Sequence, residues 1–230
     1  MAILDNFKFG PLKNDLIETF TREFKDKNPY EEVYQVKEGD IVVDVGASSG
    51  IFTYSILNKK PKHVFCLEPS KNLFPYLVNN TIGYPVTQIN KAITNGNGIT
   101  DLNYGNVYSD NGSYETITWN TFVTRFGINK INFLKLDCEG GEYDIFTNHS
   151  MPWLKSKVDT IVGEFHLSDS TLKDKFRNFR DNYLKQFKRV NVYSIDGVDI
   201  TWDLTNGIID PTNTHFIDRY NEVILHIKTK

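Results

Sequence analysis

At 230 residues the chain has room for one to one and a half domains of roughly 150 residues each. Hydrophobic residues make up 40%, charged residues 24% and aromatics 13%, a balance that suits a packed globular fold and excludes collagen, coiled coil and wholesale disorder. With 26 basic and 29 acidic residues the net charge is −3, so no long-range attraction to nucleic acid or anionic lipid follows.

The N-terminal MAILDNFKFGPLKND carries charge throughout, and no run approaches the ~18 apolar residues of a membrane span. Cys66 and Cys138 sit in apolar runs and read as buried thiols rather than a disulfide framework. These features predict a cytoplasmic protein with no membrane span.

Residues 12–27 put Leu12, Leu16, Ile17, Phe20 and Phe24 on one helical face, which predicts an amphipathic helix within an N-terminal cap over 1–38. Ile41 to Val45 is a β-branched apolar run that suits a strand buried on both faces. A helical stretch from Phe52 to Asn58, a strand from His63 to Leu67, a helix from Ser70 to Asn80 and a strand over 86–93 follow. Residues 95–118 are polar and rich in Gly and Asn, fitting an insertion or an antiparallel excursion. Ile131 to Asp137 and Val158 to Phe165 are further strands, and Leu172, Phe176, Phe179, Tyr183 and Phe187 mark a long helix. Strands at Arg189 to Ile195 and Glu222 to Lys228 close the pattern. This alternation predicts a single α/β domain, a doubly wound, mostly parallel, Rossmann-like sheet with an antiparallel C-terminal portion. Residues 39–166 form its core and 167–230 its final helix and strands.

The most informative window is Asp44-Val45-Gly46-Ala47-Ser48-Ser49-Gly50, directly after the first buried strand. Glycine permits a sharp turn and close approach of backbone to a ligand. The spacing is neither G-x-G-x-x-G nor a P-loop. Glu68 closes the next strand, where a carboxylate can accept hydrogen bonds from both hydroxyls of a ribose. The ligand so described carries adenosine but no diphosphate, because Asp44 would repel a pyrophosphate. Asp44 suits instead the cationic end of S-adenosylmethionine, directly or through water.

A second constellation is Lys135-Leu136-Asp137-Cys138-Glu139-Gly140-Gly141-Glu142. Period two puts Lys135 and Asp137 on one side of a strand, with Asp137 at the sheet edge where open α/β folds bind ligands. The alternative is that Asp137 caps a helix and Glu142 is surface charge. The next strand brings Glu164 and His166 onto one face. Asp137, Glu164 and His166 could form an acid/base centre or ligate a divalent metal ion, and the residues alone leave that choice open.

With GDIVVDVGASSGIFT, VFCLEPS, INFLKLDCEGGEYDIF and VGEFH, over roughly residues 39–166, the sequence resembles the FkbM-type methyltransferases, which depend on S-adenosylmethionine. The resemblance implies O-methylation of a hydroxyl on a sugar, glycan or polyketide. It also implies that Gly46, Ala47, Ser49 and Gly50 form the cofactor turn, that Glu68 holds the ribose, that Ala92 lies beside the adenine and that Ser113 belongs to the same site. Ser48-Ser49 and Cys138 depart from the usual pattern without changing charge.

The expected activity is therefore methyl transfer to a sugar or glycan hydroxyl, with His166 or Asp137 accepting its proton and Glu164 orienting the imidazole. A metal held by Asp137 and Glu164 would instead lower the hydroxyl's pKa. Tyr104, Tyr108 and Tyr114 in the polar insertion are expected to meet the acceptor, with Trp202 as a further partner. The competing readings are a nucleotide-dependent oxidoreductase, disfavoured by the missing G-x-G-x-x-G and Tyr-x-x-x-Lys, and a non-catalytic cofactor-binding subunit. No nucleic-acid partner is expected, and the sequence does not specify an oligomeric state.

Overall fold

The computed structural model describes residues 7–10, 28–100, 113–206 and 217–230. The predicted helix over 12–27 and the side chains of Tyr104 and Tyr108 lie outside them. Among the described residues, a seven-stranded sheet runs β3-β2-β1-β7-β8-β10-β9. Its strands are β1 (Ile41–Val45), β2 (His63–Leu67), β3 (Val86–Ile89), β7 (Ile131–Leu136), β8 (Val158–His166), β9 (Arg189–Ser194) and β10 (Glu222–Lys228). The first five pair in parallel, while β10 is antiparallel to both β8 and β9. The chain steps outward from β1 to β2 and β3, then returns to the other side of β1 as β7. That reversal opens a crevice at the C-terminal ends of β1 and β7, where sheets of this kind bind ligands.

Helices cover both faces: α1 (Ile51–Ile56), α2 (Phe74–Thr81), α3 (Trp119–Arg125), α4 (Met151–Lys157), α5 (Ser170–Asn182) and α6 (Thr201–Asn206). One core layer holds Val43, Val45, Leu134 and Leu136 against Phe122, Leu154, Phe176 and Phe179. The opposite layer holds Val42, Val64, Phe133 and Val162 against Tyr30, Phe52 and Leu77. The alternation of each strand between these layers follows from the two-residue period of extended chain. No helix among the described residues is long and apolar enough to cross a membrane.

Three details differ from the sequence expectations. The strand over 86–93 is two strands, β3 and β4 (Ala92–Ile93), and β4 leaves the main sheet. It pairs with β6 (Tyr114–Ile117), and β6 with β5 (Gly98–Thr100), in a second, three-stranded sheet. Helices α3, α4 and α6 had no strong periodic signal, being six or seven residues long. The long C-terminal helix stops at Asn182, and a 3-10 turn covers Leu184–Gln186.

Candidate active site

The layer containing Tyr30 carries a row of polar side chains between apolar ones. Asp44 is fully buried, and its register partners are Cys66 on β2 and Lys135 on β7. A buried carboxylate needs a counter-charge and hydrogen bonds. Lys135 Nζ lies 3.2 Å from Asp44 Oδ1, and Thr53 Oγ1 donates to Oδ2 at 2.7 Å. The same ammonium donates to the Gly46 carbonyl at 2.9 Å and lies 3.4 Å from Asp137 Oδ2. Burial works to lower the Lys135 pKa, but the charges of Asp44 and Asp137 outweigh it and raise it. Asp44 thus sits enclosed behind the glycine turn and acts on it through Lys135, rather than presenting an open carboxylate to the crevice.

The turn itself is tightly determined. The Gly46 and Ala47 N–H groups both donate to the Leu67 carbonyl at 3.0 Å. Gly46 has φ +76°, and a Cβ there would stand 1.6 Å from the Asp137 carbonyl oxygen. Only glycine lets the β1 and β7 loops approach so closely. Gly50 is left-handed too, and its Cβ would meet Leu77 at 2.9 Å. Ser49 is fully buried, with an unpartnered hydroxyl among the described residues and a carbonyl accepting from Asn80 Nδ2 at 2.8 Å.

Glu68 follows β2 and is nearly buried. Its Oε2 accepts from Ser48 N–H and its Oε1 from Ser70 N–H, both at 2.7 Å. Burial raises its pKa to about 7, against the pull of those donors and of Lys135. A carboxylate offers about four acceptor positions, so capacity for two ribose hydroxyls remains. Beside it opens a cleft lined by Val45, Gly46, Leu67, Pro69, Lys91, Ala92, Ile93, Cys138 and Gly141. Apolar walls for a base beside a carboxylate for a ribose fit an adenosyl ligand. Ala92 lies in this cleft as expected. Ser113 is exposed and absent from its lining, and its carbonyl accepts from Lys71.

Acids converge at the β7 and β8 ends. Asp137 Oδ2 accepts from Tyr30 Oη at 3.0 Å, and the side chain stays 30% exposed. Glu142, whose alternative was surface charge, is instead fully buried. Its carboxylate accepts from Cys138 N–H at 2.8 Å and from Gly140 N–H at 3.0 Å, and lies 3.0 Å from His166 Nδ1. Helix-opening chemistry at this glycine pair thus serves to fix an imidazole. His166 Nε2 faces Glu139 at 3.4 Å and Glu164 at 3.5 Å. Burial disfavours the charged ring, but Glu142, with Asp137 and Glu164, outweighs it and holds the pKa up at about 11. Burial and the charge of Asp137 push the Glu164 carboxyl well above the usual range.

The structure therefore brings together Asp137, Glu164 and His166, and separately Gly46, Glu68 and Ala92. Tyr114 is buried in the small sheet, while Trp202 is 60% exposed on α6. Sequence reasoning missed Tyr30, Glu139 and Glu222. Tyr30 has no local signal, because its partner Asp137 is distant in the chain, and Glu222 becomes visible only through the β8–β10 register.

Comparison with known proteins gives a match to the methyltransferase FkbM domain over residues 44–194. Comparison with curated proteins finds no match. Among solved structures, an rRNA methylase from Streptococcus thermophilus is 8% identical, with a TM-score of 0.48, 85% of this chain and 90% of that chain covered. A precorrin-6y C5,15-methyltransferase from Geobacter metallireducens is 11% identical, with a TM-score of 0.45 and coverage of 97% and 94%. The domain match spans more than half of the chain and includes the glycine turn, Glu68, Asp137 and His166, so the protein belongs to the FkbM methyltransferases, enzymes that use S-adenosylmethionine.

Proposed function

We propose that this methyltransferase acts on a hydroxyl of a sugar or glycan and that Asp137 accepts the hydroxyl proton. Bound S-adenosylmethionine supplies an electrophilic methyl group on a cationic sulfur. The observation that carries the reading is the position of Asp137, half-buried at the crevice with its backbone against Gly46. Among the described residues, the Tyr30 and Lys135 contacts to its side chain both fall on Oδ2, and a ligand would approach Oδ1. An alcohol is a poor nucleophile until it sheds its proton, and a positioned carboxylate can take it during transfer. His166 suits that task less well, because the surrounding carboxylates keep its ring protonated at neutral pH. It and Glu164 orient the acceptor instead. Tyr104 and Tyr108 remain the proposed acceptor contacts, since tyrosine can lie against the apolar face of a sugar, whereas Tyr114 is buried in the small sheet. The net charge of −3 gives no general attraction to a polyanion, and two free cysteines are in keeping with a reducing, cytoplasmic setting.

The test pairs calorimetric titration of S-adenosylhomocysteine with a methylation assay over sugars, oligosaccharides and RNA. Asp137→Asn should leave S-adenosylhomocysteine affinity nearly unchanged and reduce turnover about 10²–10⁴-fold, the range for losing a general base. Methylation of RNA but of no sugar would overturn the acceptor reading. Full activity in Asp137→Asn would remove Asp137 as proton acceptor.

A further inference from the structure

The geometry points to a divalent-cation site formed by Glu164, His166 and Glu222, beside the proposed transfer centre. His166 and Glu222 are directly paired across the antiparallel β8 and β10. Glu164 lies two residues back on β8 and so shares their face. One donor atom from each of the three falls within 4.8 Å of the others. All three stand on strands of a continuous sheet, which fixes such a set better than loops would.

The imidazole supplies the observation that acidic residues alone would not. Its side chain is 10% exposed, and Nδ1 is held 3.0 Å from Glu142 Oε1. Glu142 is fully buried and is itself anchored by the Cys138 and Gly140 N–H groups. This arrangement assigns the Nδ1 proton to Glu142 and turns Nε2 into the cluster. There Nε2 faces two carboxylates, with Glu139 Oε2 3.4 Å and Glu164 Oε1 3.5 Å away. A carboxylate holding one ring nitrogen so that the other can ligate is the usual outer support of a metal-bound histidine. The Glu164 and Glu222 carboxyls lie against each other, and a cation between them relieves that crowding of like groups. A cation ligated by Nε2 would stand within reach of both the Glu164 and Glu222 carboxylates.

Two carboxylates and one imidazole suit Mn²⁺, Fe²⁺ or Zn²⁺ better than Cu⁺ or Ca²⁺. Three protein donors leave coordination positions for oxygen ligands, so the acceptor class becomes a vicinal diol, one oxygen held on the cation and one turned to Asp137. This inference rests on the hydroxyl-acceptor reading, but its readout needs no acceptor.

Mn²⁺ is titrated into the full chain while free Mn²⁺ is followed by electron paramagnetic resonance, with S-adenosylhomocysteine binding measured in parallel without metal. One saturable Mn²⁺ equivalent is expected, weakened about tenfold or more in Glu222→Gln and Glu164→Gln. Mn²⁺ should also raise the melting temperature of the wild type, a readout that survives if either variant folds poorly. Absence of saturable binding to the wild type, or equal binding by wild type and both variants, overturns the site. Failure of every sugar in the methylation assay, with Mn²⁺ bound as expected, would instead overturn the acceptor reading.

Discussion

Glu68 illustrates how one side chain couples folding to proton uptake and cofactor binding to proton release. Its carboxyl titrates near about 7 when folded, against an ordinary value of 4.5, because burial opposes its charge. Between those values the folded protein holds a proton that the unfolded chain has released. Glu68 therefore favours the folded state most at low pH, and about 3 kcal/mol of that preference is lost as pH rises from 4.5 through 7. Cofactor binding runs the other way, since ribose hydroxyls donate to the ionised carboxylate. S-adenosylhomocysteine should accordingly bind about tenfold more weakly at pH 6 than at pH 8. In Glu68→Ala this pH dependence should vanish, with affinity lower by roughly 1.5–3 kcal/mol. Calorimetry across the pH range checks both, and an unchanged profile in Glu68→Ala would assign the titration elsewhere. The position of Glu68 was legible from its place after a buried strand. Its backbone partners Ser48 and Ser70 were not, because they depend on how two turns meet in space.

At the scale of elements, strand β8 carries the proposed transfer centre on one face and the aromatic core on the other. Glu164 and His166 belong to the polar row, whereas Phe165 between them points into the opposite layer. There its ring stacks on Phe179 of α5, centroids 5.1 Å apart at 13°, and Phe179 also meets Phe146 at 4.5 Å. Helix α5 is thus a support for the site without touching it. Phe179 is 1% exposed, so Phe179→Ala should cost about 3–5 kcal/mol of stability by leaving a cavity. Urea unfolding measures this, and a loss below about 1 kcal/mol would mean that the layer closes around the gap. Such elements were legible in proportion to their pattern. The apolar runs of β1, β7 and β8 announce strands buried on both sides, and α5 announces itself by Leu172, Phe176 and Phe179. Helix α3, by contrast, is seven residues long and is set by a cap in which Thr118 accepts from Thr121 N–H. A window that short carries too few turns for periodicity to stand out.

Across the whole molecule, the candidate site is assembled from parts that meet only when the sheet is complete. The turn after β1 touches the loop after β7, Lys135 bridges Asp44 to Asp137, and β10 returns from the C-terminal end to place Glu222 beside His166. The segment before β1 adds the last constraint. Asn28 caps the 3-10 turn Pro29–Glu31, which seats Tyr30, 2% exposed, on the polar row. Its hydroxyl donates to Asp137 from 107 positions away in sequence, and Lys135 Nζ lies 5.3 Å from its ring centroid. Packing and orientation can be separated here, because Tyr30→Phe keeps the ring and removes only the hydrogen bond. The ring's burial and its edge contact with Phe52 at 5.7 Å should persist, so the melting temperature should fall only modestly. Asp137, freed from its Tyr30 contact, samples more orientations, and a hydrogen bond to a charged group is worth about 1.5–3 kcal/mol. Turnover should therefore drop about 10–100-fold, with S-adenosylhomocysteine affinity close to wild type, because Tyr30 does not line the adenosyl cleft. Single-turnover methylation beside calorimetry separates the two quantities. If turnover and unfolding in Tyr30→Phe both match the wild type, the N-terminal segment covers the site without orienting it, and Lys135 alone holds Asp137 in place.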